Sequence, residues 1–254
     1  MNEENTPDPP SRVLGTWATL GAALTEVTML PNWNPKSLTS GTIGRFGNVN
    51  IQFEARPLAE TSSAHFGLGE PRDLYVDPDG IPSKFLSWDG DYEGHPLTIV
   101  GPVSTSDDAT AADATLTADL RPEVLTGWVT LGTVLRQATS QATWDEDAFT
   151  TAHIWRDGDV SVLVDGDCLA AGIAERAGLS APPHSHDGTG AAGGHFTTWQ
   201  GDHAGHNLRV TGWDENTFVA ATVCDQGDTA QTPAQVVQEQ QMHRDVDQDV
   251  DQLD

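Results

Sequence analysis

Apolar residues first recur at helical spacing and then at strand spacing. Val124, Leu125, Trp128, Leu131 and Leu135 fall three or four residues apart, the stripe of an amphipathic helix. Pro122 and Glu123 suit its start: proline lacks an N–H that the first turn would leave unpaired, and the carboxylate meets the positive end of the helix dipole. Gly127 and Gly132 each weaken such a helix by roughly 1 kcal/mol relative to Ala, which a close crossing against another backbone would offset. Leu14, Trp17, Leu20 and Leu24 repeat the pattern earlier in the chain. The period then drops to two. Phe149 to Trp155 and Val160 to Val164 flank Asp157-Gly158, a tight-turn dipeptide, and so predict a hairpin. "TIGRFGNVNIQFEAR" has turn residues at the equivalent place. "CLAAGIAERAGLS" reads as a helix ending near Gly178, whereas its counterpart "PLAETSSAHFGLG" is a weaker helix former. Phe196 to Trp199, Leu208 to Thr211 and Phe218 to Val223 read as three strands joined by short polar turns.

These patterns come in pairs. "WDGDYEGHPL" from Trp88 and "WQGDHAGHNL" from Trp199 share Trp, Gly, Asp, Gly, His and Leu in register, 111 residues apart. The same offset carries "VLGTWATLGAAL" onto "VLTGWVTLGTVL", Trp33 onto Trp144, Arg45 onto Arg156, and Leu58-Ala59 onto Leu169-Ala170. Between 13–101 and 124–212, 27 of 89 positions are identical without a gap, which points to internal duplication. The expectation is an α+β protein made of two tandem copies of a small antiparallel-sheet domain. Helices cover one face, and the copies form an intramolecular pseudo-twofold pair. A β-sandwich is the competing reading, because "GTWATLG" also tolerates an extended conformation. The domains are then 13–101 and 124–225, joined by a Ser/Thr/Ala/Asp-rich linker at 102–123. The stretch 226–254 has too little apolar mass to repay ordering and reads as an acidic, disordered tail.

Charge narrows the partners. The 38 acidic residues face 12 basic ones for a net −26, a surface that repels nucleic-acid phosphates and anionic lipid heads; it reads first as a solubility feature, as in a high-salt setting, and otherwise as steering of a basic protein or peptide. No run of about 18 apolar residues predicts a membrane span, and "MNEENTPDPPSR" has no secretion-signal core. The two cysteines, Cys168 and Cys224, form no CxxC pair; they read as reduced, buried thiols, with a single bond between them as the alternative. The expected setting is cytoplasmic.

Two constellations carry candidate chemistry. Asp91 with His95, and Asp202 with His206, sit in the duplicated motif. An Asp–His hydrogen bond there could orient an imidazole for acid–base work, but no nucleophile accompanies it, and the simpler reading is a turn built twice. The second constellation is "PPHSHDGTGAAGGH", which exists only in the second copy. His184, His186, Asp187 and His195, with His206 further on, are residue types that hold a divalent transition metal. Their first-copy equivalents for His184, His186 and His195 are Asp73, Tyr75 and Lys84, which cannot make the same site. "GTGAAGGH" lacks the Lys-Ser/Thr ending and preceding strand of a phosphate loop, and neither a G-x-S-x-G elbow nor a calcium-loop pattern occurs. The sequence therefore leads to a non-enzymatic acidic protein-binding or adaptor protein. The alternatives are a metal-dependent enzyme using the histidine cluster of the second copy and a structural component of a larger assembly.

Overall fold

A computed structural model describes residues 11–73, 85–103, 123–142, 144–187 and 194–214. The expected strand at 218–223, the tail at 226–254, the Gly-rich stretch 188–193 and nearly all of the linker lie outside the described residues. Among the described residues the fold is α+β, with four α-helices and a mixed ten-stranded sheet. The first half runs α1 (Arg12–Thr28), β1 (Leu38–Gly44), β2 (Val49–Phe53), α2 (Arg56–His65), β3 (Arg72–Asp73), β4 (Phe85–Tyr92) and β5 (His95–Pro102). The second runs α3 (Glu123–Thr139), β6 (Phe149–Trp155), β7 (Val160–Asp165), α4 (Asp167–Arg176), β8 (His184–Asp187), β9 (His195–His203) and β10 (His206–Asp214). Across the sheet the order is β3-β4-β5-β2-β1-β6-β7-β10-β9-β8.

Three sequence-based expectations are corrected. The sheet is mixed rather than antiparallel, because β2 pairs with β5 and β7 with β10 in parallel. In each half a helix, α2 or α4, carries the chain over between the parallel strands, the connection that such pairing requires. The segment "PLAETSSAH" also makes a helix as long as its counterpart, both spanning ten residues. Burial of Leu58, Ala59, Ser62 and Ser63 on one side outweighs its weaker local propensity. Finally, Cys168 is disulfide-bonded rather than a reduced thiol. It lies on the exposed side of the first turn of α4, not in the core; the other cysteine, Cys224, is outside the described residues.

Strand alternation places all four helices on one face. Gly41, Ile51, Ile99, Ile154, Val160 and Leu208 are linked by cross-strand register and are aligned along this side. Leu20 and Leu24 of α1 lie over Gly41, Ala59 of α2 over Gly101, and Ala170 of α4 over Gly212. The resulting core is continuous across both halves, from Phe53 to Phe149. The opposite face mixes Thr42, Gln52, Thr98, His153, Ser161 and Thr211 with the apolar Val100, Trp155, Leu163, Phe196 and Trp213. An antiparallel or mixed sheet can leave such a face in water.

Two junctions join the halves. In the sheet, β1 and β6 pair antiparallel from Ser40↔Trp155 to Gly44↔Thr151, with Thr42 opposite His153 at the middle. In the helix layer, Trp17 and Trp128 stack with ring centroids 4.7 Å apart and planes 11° from parallel. Each indole N–H donates to the other residue's backbone carbonyl at 3.0 Å. The rings fit because Gly21 faces Trp128 and Gly132 faces Trp17, where a Cβ would strike the ring. Ion pairs flank the seam: Arg45 with Asp165, and Arg156 with Glu54 at 2.9 Å.

Filling either glycine gap should open this junction. Gly21→Ala and Gly132→Ala are each expected to lose about 1–3 kcal/mol, the usual range for overpacking, despite alanine's better helix propensity. Urea unfolding checks this; unchanged midpoints would mean the stack yields without loss.

Candidate functional site

The duplicated motif forms two hairpins rather than two loops. Its Trp-to-Asp portion is strand, and the turns are only Glu93-Gly94 and Ala204-Gly205. All four turn residues have positive φ, at 51° and 79° and at 55° and 84°, the geometry of a two-residue turn that matches strand twist. Glycine takes the second position without strain, and Glu93 and Ala204 tolerate the first.

His95 and His206 open the returning strands and reach sideways to the neighbouring hairpin. The His95 Nδ1–H donates to the Gly47 carbonyl at 3.1 Å, so Nδ1 carries the proton. The ring of His206 lies against Gly158, where a Cβ would fall 2.6 Å from it. Asp91 and Asp202 are exposed and make no side-chain hydrogen bond among the described residues. The Asp–His bond that the motif suggested is therefore replaced by a His-to-backbone contact between hairpins. The second half adds a clamp, in which the Asp159 carboxylate accepts from the Asn207 backbone N–H and side-chain amide, both at 3.1 Å.

The histidine-rich candidates separate. His184, His186 and Asp187 lie on the edge strand β8, and Asp187 pairs across to His195. His184 and His186 share the open face by strand alternation, where His186 stacks on Phe196 at 5.3 Å. His206 pairs with His203 at the other end of the nine-residue β9, about 25 Å from His195 at strand rise. The His203 Nδ1–H meanwhile donates to the Ala177 carbonyl at 2.8 Å, closing the end of α4. No group of three or more His, Cys, Asp or Glu side chains able to hold a metal occurs among the described residues.

Two titratable clusters escaped the sequence reading. At the β1–β6 seam, His153 Nδ1 lies 3.0 Å from Thr42 Oγ1, and its ring stacks on half-exposed Trp155 at 5.8 Å. Burial pushes the imidazole pKa below its ordinary 6.5 and keeps the ring neutral. Only the 111-residue offset hinted at this place, because it makes Thr42 and His153 equivalent positions. In the first half, the Tyr92 hydroxyl donates to Glu26 Oε1 at 2.6 Å, and His65 Nε2 meets Glu26 Oε2 at 2.7 Å. Tyr92 and then His65 hold the Glu26 pKa below its usual value, while burial and then Glu26 raise that of Tyr92. The cluster ties α1 to α2 and β4. Glu26, His65 and Tyr92 are scattered in sequence, and no spacing announces them.

Comparison with protein-family models, curated proteins and solved structures returns no match. Among the described residues, no helix is long and apolar enough to cross a membrane.

Two measurements check the geometry. Asp91→Ala and Asp202→Ala should each shift stability by less than about 0.5 kcal/mol, as surface changes do. His95→Ala should cost about 1 kcal/mol through its lost hydrogen bond. Acidification should also expose His153: the unfolded chain takes up a proton near pH 6.5, whereas the folded ring does so only at lower pH. Its contribution is complete above about pH 6.5 and falls as pH drops through the folded value. The thermal midpoint of His153→Gln should therefore fall less than that of the native protein between pH 7.5 and 5.5; parallel curves would refute the buried-imidazole account.

Proposed function

We propose a non-enzymatic acidic binding or adaptor protein that engages a basic protein or peptide. The observation that carries this reading is a charge imbalance at the hairpin and helix ends. Arg12, Arg45, Arg56, Arg72 and Arg156 are taken up by internal ion pairs, and Arg136 lies over the Trp17 ring at 4.9 Å. Asp91, Glu93, Glu123, Asp157 and Asp202 are exposed and have no ion pair among the described residues, and they outnumber the exposed, unpaired cations Lys36, Arg176 and Arg209. Unpaired carboxylates leave a negative field that steers and orients a cationic partner.

The same reading includes two tandem copies, 13–101 and 124–225, related by a pseudo-twofold axis, with 102–123 joining them and 226–254 as an acidic tail. Reciprocal contacts support it. Adding 111 to Trp17 and subtracting it from Trp128 exchanges the two indole bonds. The same operation turns Arg45–Asp165 into Arg156–Glu54. A body of this kind offers similar turns at both ends and suits a bivalent adaptor. The disulfide at Cys168 favours an oxidising setting over the cytoplasmic one, since cytosolic reductants keep thiols reduced.

Titration calorimetry of the full chain with an arginine-rich peptide, and with a neutral peptide of equal length, tests the binding. The basic peptide should bind at low salt, weaken severalfold at high salt, and weaken further with Asp157→Asn combined with Asp202→Asn. Equal affinity for both peptides, or none for either at low salt, would refute the proposal.

A further inference from the structure

On the side of the sheet away from the helices, two rows of side chains run across β6, β1 and β2. Register places Trp155, Ser40 and Gln52 in one row and His153, Thr42 and Asn50 in the next. Trp155 is 43% exposed, and its ring lies nearly parallel to that of His153, with 10° between the planes and 5.8 Å between centroids. One face of the indole is thus backed by an imidazole that Thr42 holds at 3.0 Å. Among the described residues no cation covers this ring, whereas Arg136 covers Trp17. The half-buried Asn50 and Gln52 amides make no side-chain hydrogen bond among the described residues. Packing does not call for this arrangement. The 111-residue offset gives a matching row in the same register, Gly44, Thr151 and Leu163. Glycine stands there in the place of Trp155 and leucine in the place of Gln52, and the strands pair all the same.

We propose that this patch binds an uncharged saccharide, with one sugar ring on Trp155 and its hydroxyls on Asn50 and Gln52. The site is separate from the one proposed for a cationic partner and does not rest on it. A sugar ring presents a flat layer of slightly positive C–H groups, which suits the negative face of an aromatic ring. Sugar hydroxyls both donate and accept, and so do the two amides, so neither partner is left unsatisfied. Charge selects the same chemistry. None of the six side chains is a carboxylate, an ammonium or a guanidinium. The charges that follow Trp155 and Phe53 in the chain, Arg156 and Glu54, pair with each other at 2.9 Å. A basic peptide is therefore drawn to the unpaired carboxylates elsewhere, and an acidic ligand is repelled by a chain of net −26. The span also fits. Trp155 and Gln52 are two strand spacings apart, about 10 Å, which one or two sugar rings can bridge.

An array of uncharged oligosaccharides, followed by titration calorimetry of the full chain with the best-bound one, tests this. At least one should bind. Trp155→Ala should weaken it about tenfold, the worth of one good aromatic stack. Trp155→Phe should weaken it less, and Gln52→Ala severalfold. Phe46→Ser, at an aromatic 81% exposed on a hairpin turn, should leave binding unchanged. If Trp155→Ala loses its native circular dichroism, Gln52→Ala carries the test. Absence of binding to every oligosaccharide on the array, or full binding by folded Trp155→Ala and Gln52→Ala proteins, would overturn the proposal. Loss of arginine-rich peptide binding in Trp155→Ala with saccharide binding intact would overturn it equally, by assigning the ring to the cationic partner.

Discussion

The interlock of Trp17 and Trp128 is the constraint on which the rest of the architecture depends. Each indole stacks on the other, donates to the other's backbone, and occupies the gap left by the other helix's glycine. An aromatic pair contributes about 1 kcal/mol beyond its area, and two hydrogen bonds add about 1 kcal/mol each. The larger effect is geometric. Once α1 and α3 cross this closely, the first strands beneath them, β1 and β6, are brought into pairing range. Left apart, those strands would be open edges prone to pairing with other chains. Joined, they make a single sheet with the short strands β3 and β8 at its margins.

Within this shared framework, the two halves differ in the residues that hydrogen-bond and titrate. Glu26, His65 and Tyr92 form one linked cluster, whereas the same positions in the second half are Gln137, Arg176 and His203, the last bonded to a helix-end carbonyl. Asp159 clamps Asn207, but the equivalent of Asn207 is Pro96, which has no backbone N–H to donate. At the centre of the seam, Thr42 and His153 occupy equivalent positions and meet directly. Packing residues such as Trp, Leu and Gly recur because both halves need the same shapes. Polar residues diverge because each bond has only to be satisfied locally.

The division explains what could be read from the sequence. The stripe around Trp128, the Asp157-Gly158 turn and the helix stop at Gly178 all became structure because each is specified within a few residues. The parallel pairing of β2 with β5 was hidden, since it depends on how α2 lays the chain back, and alternation reads the same in either direction. The site reading suffered similarly. Gly94 and Gly205 were visible as turn residues, but the partners of His95 and His206 lie 48 residues earlier, at Gly47 and Gly158. Nothing in "PPHSHDGTGAAGGH" showed that β8 would extend along β9 and leave His206 at the far end.

Charge distribution then separates the roles of the surfaces. Ion pairing neutralises the strand junctions, where Arg45 and Arg156 meet carboxylates across the seam. The α1 and α3 helices carry two charges of each sign, and their exposed positions are Arg12, Ala18, Glu123, Thr126, Val129, Thr133 and Arg136. Exposed carboxylates stand at Asp91 and Asp202, beside two-residue turns, and at Asp157, within the longer turn between Trp155 and Val160. A charge held at the end of a rigid hairpin has a fixed direction, so its field is delivered at a defined place rather than averaged over a loop. Rigid turns and the exposed carboxylates beside them are the features on which the proposed recognition of a cationic partner rests.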